Sequence, residues 1–76
     1  MGKDIVYIVS TGERYEGSRI ISIRRDLEDA KRDAFVEQCE YTGAWKTPLD
    51  GSTPNMWIVW QDNDIDFVKI ERHKVE

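Results

Sequence analysis

The chain has 76 residues, too few for a second hydrophobic core, so it is read as one domain that buries only about 60% of the surface its unfolded form exposes. A single cysteine, Cys39, and a single histidine, His73, exclude an intramolecular disulfide and a Cys/His zinc site, which leaves packing or association to stabilise the fold. Hydrophobic residues at 39% argue against disorder, and a net charge of −4 disfavours general attraction to nucleic acid or anionic membranes.

Met1-Gly2-Lys3-Asp4 leads straight into a strand-like segment, which leaves no room for a signal peptide, and no apolar run is long enough to span a bilayer. A cytoplasmic location is the expectation. Asp4 to Ser10, Asp-Ile-Val-Tyr-Ile-Val-Ser, is a β-branched and aromatic run that predicts the first strand. Thr11 to Gly17 carries two glycines and several charges and predicts a hairpin loop. Arg19 to Arg24, with Ile20-Ile21-Ser22-Ile23 at its centre, predicts a second strand antiparallel to the first.

Asp26 is placed to cap a helix, and Glu28 and Asp29 suit the positive end of its dipole. Leu27, Ala30, Ala34, Phe35 and Cys39 form the predicted apolar stripe, with Lys31, Arg32, Asp33 and Glu37 facing water. The helix is expected to end near Glu40 to Gly43, before Pro48. Tyr41 to Asn55 reads as a long connection rich in turn residues, with Trp45 and Leu49 as its apolar members, and a loop of that length in a small domain points to a binding element. Met56 to Trp60 predicts a third strand, Gln61-Asp62-Asn63-Asp64 a turn, and Ile65 to Arg72 a fourth strand. The expected fold is α+β: a four-stranded, mainly antiparallel sheet with one helix on one face, in the order β-β-α-β-β.

Alternate residues of a strand face opposite sides, and here both sides are apolar. Ile5, Tyr7 and Val9 oppose Val6 and Ile8 in the first strand; Trp57 and Val59 oppose Met56, Ile58 and Trp60 in the third. One helix covers one face, so the other needs the long loop, a second copy or another protein. Trp45, Leu49, Trp57, Trp60 and Tyr15 are the candidate partner-binding residues, because large aromatic side chains dominate binding hot spots.

No catalytic constellation emerges. His73, the one candidate base for a nucleophilic pair, lies in the charged stretch Glu71-Arg72-His73-Lys74 and is read as a solvated side chain; Cys39 is read as a small buried hydrophobe. Asp62, Asp64 and Asp66 have the spacing that opens a calcium-binding EF-hand loop, but Phe67 stands where that loop needs glycine and His73 where it needs glutamate. A solvated hairpin tip accounts for the three aspartates, and neither a metal nor a cofactor is expected. Arg14, Arg19 and Arg24 form an alternative site for a nucleotide or other anion, since guanidinium forks match phosphate, although arginines interspersed with Glu13 and Glu16 more often decorate a solvated edge.

Tyr7-Ile-Val-Ser-Thr-Gly, Tyr15, the Ile20-Ile21 pair, Asp26-Leu-Glu-Asp-Ala and Val68-Lys-Ile-Glu-Arg-His-Lys-Val-Glu resemble small phage and prophage proteins of strand, turn, strand, helix, strand pattern. The stretch from Trp45 to Asn55 is longer than in that group. The resemblance transfers no catalytic residue and implies a context, that of small acidic proteins which inhibit host machinery or antiviral defence. A non-enzymatic protein docking on a host protein, on a second copy of itself or on both is therefore the leading expectation, with a ligand-sequestering homo-oligomer as the alternative.

Overall fold

A computed structural model describes residues 4–40, 43–46, 50–53, 55–61 and 65–75. In chain order the elements are β1 (Asp4–Glu13), β2 (Gly17–Arg24), α1 (Leu27–Cys39), β3 (Asp50–Thr53), β4 (Met56–Trp60) and β5 (Asp66–Val75). The strands form one antiparallel sheet in the order β2-β1-β5-β4-β3, and α1 lies across β1, β2 and β5. The expected α+β architecture is thus present, with the four predicted strands and the single helix on one face.

Three features of the strands depart from the sequence reading. Thr11, Gly12 and Glu13, expected in the hairpin loop, continue β1, because β5 and β2 keep pairing with them to the end of the hairpin. The connection after the helix is not all loop: β3 pairs with β4 at the sheet edge, and Trp45 bridges to Gln61. The last strand also runs on to Val75, so His73 sits in a ladder opposite Val6 rather than in a frayed tail. Leu49, Pro48, Asp62 and Asp64 lie outside the described residues.

Asp26 caps α1 as expected: with extended backbone angles (φ −116°, ψ 128°), its Oδ1 accepts a hydrogen bond from the Glu28 amide at 3.0 Å. The helix face differs from the expected stripe. Ala30 and Ala34 are fully buried, while Phe35 is 64% exposed and Cys39 lies on the surface. Phe35 follows Ala34 by one residue, which rotates it about 100° away from the sheet. Small side chains at Ala30 and Ala34 let the helix backbone approach the strands, and the core they complete contains Val9, Val59, Val68 and Ile70. Tyr7, Ile21, Leu27, Trp45 and Trp57 pack around it.

Asp33 and Glu37, expected to face water, point to the rim of the sheet. Asp33 accepts hydrogen bonds from Ser22 Oγ (2.7 Å) and Arg24 Nε (2.6 Å), and Glu37 pairs with Arg19 at 3.5 Å. Thr11 is buried on the same side and donates its hydroxyl to the Phe67 carbonyl at 2.8 Å.

Candidate functional site: the open sheet face

The face opposite α1 follows from the register. Val9, Val59, Val68 and Ile70 are core residues, so the alternate residues of β1, β4 and β5 point the other way. Ile8, Glu71 and Met56 form one cross-strand row of that face; Ser10, Lys69 and Ile58 form the next. Toward the hairpin end, Phe67 and Trp60 oppose each other with ring centroids 5.1 Å apart.

Strand β2 adds to these rows in an irregular way. Val9 pairs with Ser22 but Ser10 pairs with Ile20, so Ile21 is an extra residue in β2 and forms a bulge. In a regular strand Ile20 and Ile23, three apart, would face opposite sides. The bulge turns both onto the open face, Ile23 beside Ile8 and Ile20 beside Ser10, where they are 57% and 60% exposed. The sequence reading missed this because the extra residue breaks the two-residue period on which it relies. Among the described residues no helix covers the resulting surface.

A charged pair crosses the centre. Lys69 and Glu71, two apart on the middle strand, lie 3.8 Å from each other, and Lys69 also stands 5.7 Å from the Phe67 ring. Beside Lys69, Ser10 is only 3% exposed, and its hydroxyl is buried without a hydrogen-bond partner among the described residues. The face is therefore apolar on both flanks with one acid and one base between them.

The candidate partner-binding residues divide between the two faces. Trp60 is on the open face, with the Arg14 guanidinium 4.7 Å from the centre of its ring, a cation–π contact. Trp57 packs on the core instead, edge to face with Tyr7 at 6.1 Å. Trp45 also belongs to the helix side: half-buried against the core, it donates its ring N–H to the Gln38 carbonyl at 3.2 Å and closes the space below the end of α1. Tyr15 stands at the hairpin tip, 92% exposed and with φ at +72°.

The three arginines of the alternative anion site do not converge. Arg19 and Arg24 lie on the helix side, each held by a carboxylate, whereas Arg14 reaches over Trp60 on the other. Hydrogen bonds from Arg24 and then Ser22 hold the Asp33 carboxyl below its ordinary range, and Asp33 in turn raises Arg24. An anion entering there would have to displace both carboxylates. A depression at the hairpin, lined by Glu13, Glu16, Arg19 and Asp66, is predominantly acidic. Among the described residues no group of three or more His, Cys, Asp or Glu side chains could hold a metal ion. No described helix is long and apolar enough to cross a membrane.

Comparison with protein-family models, with curated proteins and with solved structures found no match.

Proposed function

We propose that this chain is a non-catalytic, phage-type binding protein that docks on another protein through the open face of its sheet and thereby modulates a host component, such as one of antiviral defence. One observation carries the docking part: the bulge in β2 brings Ile20 and Ile23 onto a face that already holds Ile8, Met56 and Ile58, and no element of the described chain covers it. Antiparallel sheets with a single covering layer normally carry a polar second face, and a large contiguous apolar surface on a small protein marks an interaction site. The host context rests on the resemblance of the strand and helix segments to small phage proteins.

Capture from host cells tests it with matched variants. Ile58→Glu and Ile23→Glu place a charge on the open face; Phe35→Glu places the same charge on the exposed side of the helix. Loss of captured protein with the first two, and retention with the third, is the expected result. Equal recovery with all three, in folded protein, overturns the assignment of the docking surface.

A further inference from the structure

We infer that, while no host protein is bound there, the open face is closed by a second copy of the same chain, packed face to face so that its β5 runs antiparallel to the first and Lys69 of each copy meets Glu71 of the other. This rests on the open face being the docking surface proposed above, and it names what covers that surface before a target is engaged. The inference comes from comparing the two central rows of the face column by column. Moving from β2 through β1 and β5 to β4, one row reads Ile23, Ile8, Glu71, Met56. The other reads Ile20, Ser10, Lys69, Ile58.

A two-fold axis lying between the sheets, at right angles to the strands and level with Ile70, exchanges these rows and keeps every column in place. Isoleucine then meets isoleucine over β2, and Met56 meets Ile58 over β4. Over β1, Ile8 of one copy meets Ser10 of the other, a large side chain above a small one. Over the central strand, acid meets base twice. The opposite choice, an axis along the strands, would stack Lys69 on Lys69 and Glu71 on Glu71, and like charges in a shielded interface are repelled. The charged pair thus selects one orientation. Aligned sheets cross at about 30°, which displaces the outer columns and leaves the central pair closest to register.

Size and edges agree with this packing. Strands of 10, 8, 4, 5 and 10 residues, about 4.8 Å apart and rising about 3.3 Å per residue, give the face an outline of about 600 Å², the lower end of what each partner contributes to a stable interface. Pairing through the β2 edge is disfavoured by the Ile21 bulge and by the flanking Arg19 and Arg24, devices that blunt an edge strand. Among the described residues six hydrophobic side chains are fully buried, two of them alanine, a small core of the kind that association commonly supplements.

Sedimentation of the purified chain across a concentration series, with variants, tests the inference. The wild type should reach twice the mass of one chain. Lys69→Glu alone and Glu71→Lys alone should each weaken self-association at least tenfold, because each creates two like-charged contacts. Mixed together, the two variants should form a heterodimer, since every central contact is then acid against base. The double variant Lys69→Glu/Glu71→Lys should recover the wild-type constant. A wild type that stays monomeric at all concentrations overturns the inference. So does a dimer indifferent to Ile58→Glu and to both charge reversals, which would have to use another surface. If the wild type is monomeric and Ile58→Glu nevertheless abolishes host capture, the docking surface stands and its occupant is foreign. If neither dimer nor open-face dependence is seen, both proposals fall. Thermal melts of each variant separate loss of association from loss of fold.

Discussion

Asp33 of the helix holds Arg24 of the edge strand by two hydrogen bonds, from Nε at 2.6 Å and from Nη2 at 3.2 Å, while Ser22 donates a third at 2.7 Å. The carboxylate therefore fastens α1 to β2 at a point where the sheet has a free edge.

That attachment is pH-dependent. Asp33 has a folded-state pKa lowered below its unfolded value, chiefly by the hydrogen bond from Arg24. Its contribution to stability is therefore complete above about pH 4, the ordinary carboxylate range, and is lost as acid carries the pH down through the lowered value. Asp33→Asn should reduce the melting temperature at neutral pH, and the gap to wild type should close as the pH falls below the carboxylate range. A gap of constant size from neutrality into acid would show that the charge of Asp33 contributes nothing.

Gly12 pairs with Ser18 across the hairpin, and a Cβ there would collide with the Gly17 carbonyl oxygen and lie 2.6 Å from the Ser18 Cα. Both obstacles are backbone atoms, so the strands must part to accept a methyl group. Gly12→Ala should cost about 1–3 kcal/mol, the scale of overpacking in a close-packed site. Chemical denaturation measures it, and an unchanged midpoint would contradict the close approach.

Tyr15 occupies the second central position of the turn closed by the Glu16 amide on the Glu13 carbonyl at 3.0 Å, with a left-handed φ of +72°. A side chain with a Cβ is strained there by roughly 1–2 kcal/mol, whereas glycine is not. After the added freedom of the unfolded chain is set against that relief, Tyr15→Gly should stabilise the protein by about 0.5–1 kcal/mol. A lower melting temperature in the variant would mean that the exposed ring supports the hairpin through contacts of its own.

Ala34 is completely buried between the helix and the sheet. Ala34→Leu must lift α1 from Val9 and Ile70 or push those residues off their rotamers, at a cost of about 1–3 kcal/mol. Phe35→Leu, one position along on the exposed side, should change stability by less than about 0.5 kcal/mol. Paired denaturation curves check the contrast, and it disappears if the helix is rotated.

The elements that the chain signals locally were the legible ones. Asp26 before Leu27 marks the start of α1, and the β-branched runs around Val6, Ile21 and Val59 mark strands, because capping and burial act on neighbours in sequence. The apolar second face was legible too, since it follows from alternation within single strands. Tertiary pairing left no such local signal. Asp33 and Glu37 look like solvent-facing helix residues until Arg24 and Arg19 are brought beside them. Thr11 looks like loop until Phe67 offers its carbonyl from across the sheet. The Ile21 bulge leaves no trace in composition, yet it decides where Ile20 and Ile23 point, and with them the self-matching of the two rows. Trp45 reads from sequence as a partner-binding side chain in a polar connection, but its ring packs against the core and donates to the Gln38 carbonyl.

The pairing of β1 with β5 sets the order in which the molecule can be assembled. The hydroxyl of Thr11 finds its acceptor 56 residues further along the chain, and every pair from Asp4 with Val75 to Glu13 with Asp66 spans a comparable interval. During synthesis the hairpin of β1 and β2 and the helix emerge first, and the middle of the sheet stays vacant until β5 follows. Closure is thus a late, long-range event of the kind that slows folding and exposes greasy strands to neighbours in the meantime. A nascent chain halted before Asp66 would present β1 as a bare edge, and the ribosome must complete the last strand before the first acquires its longest partner.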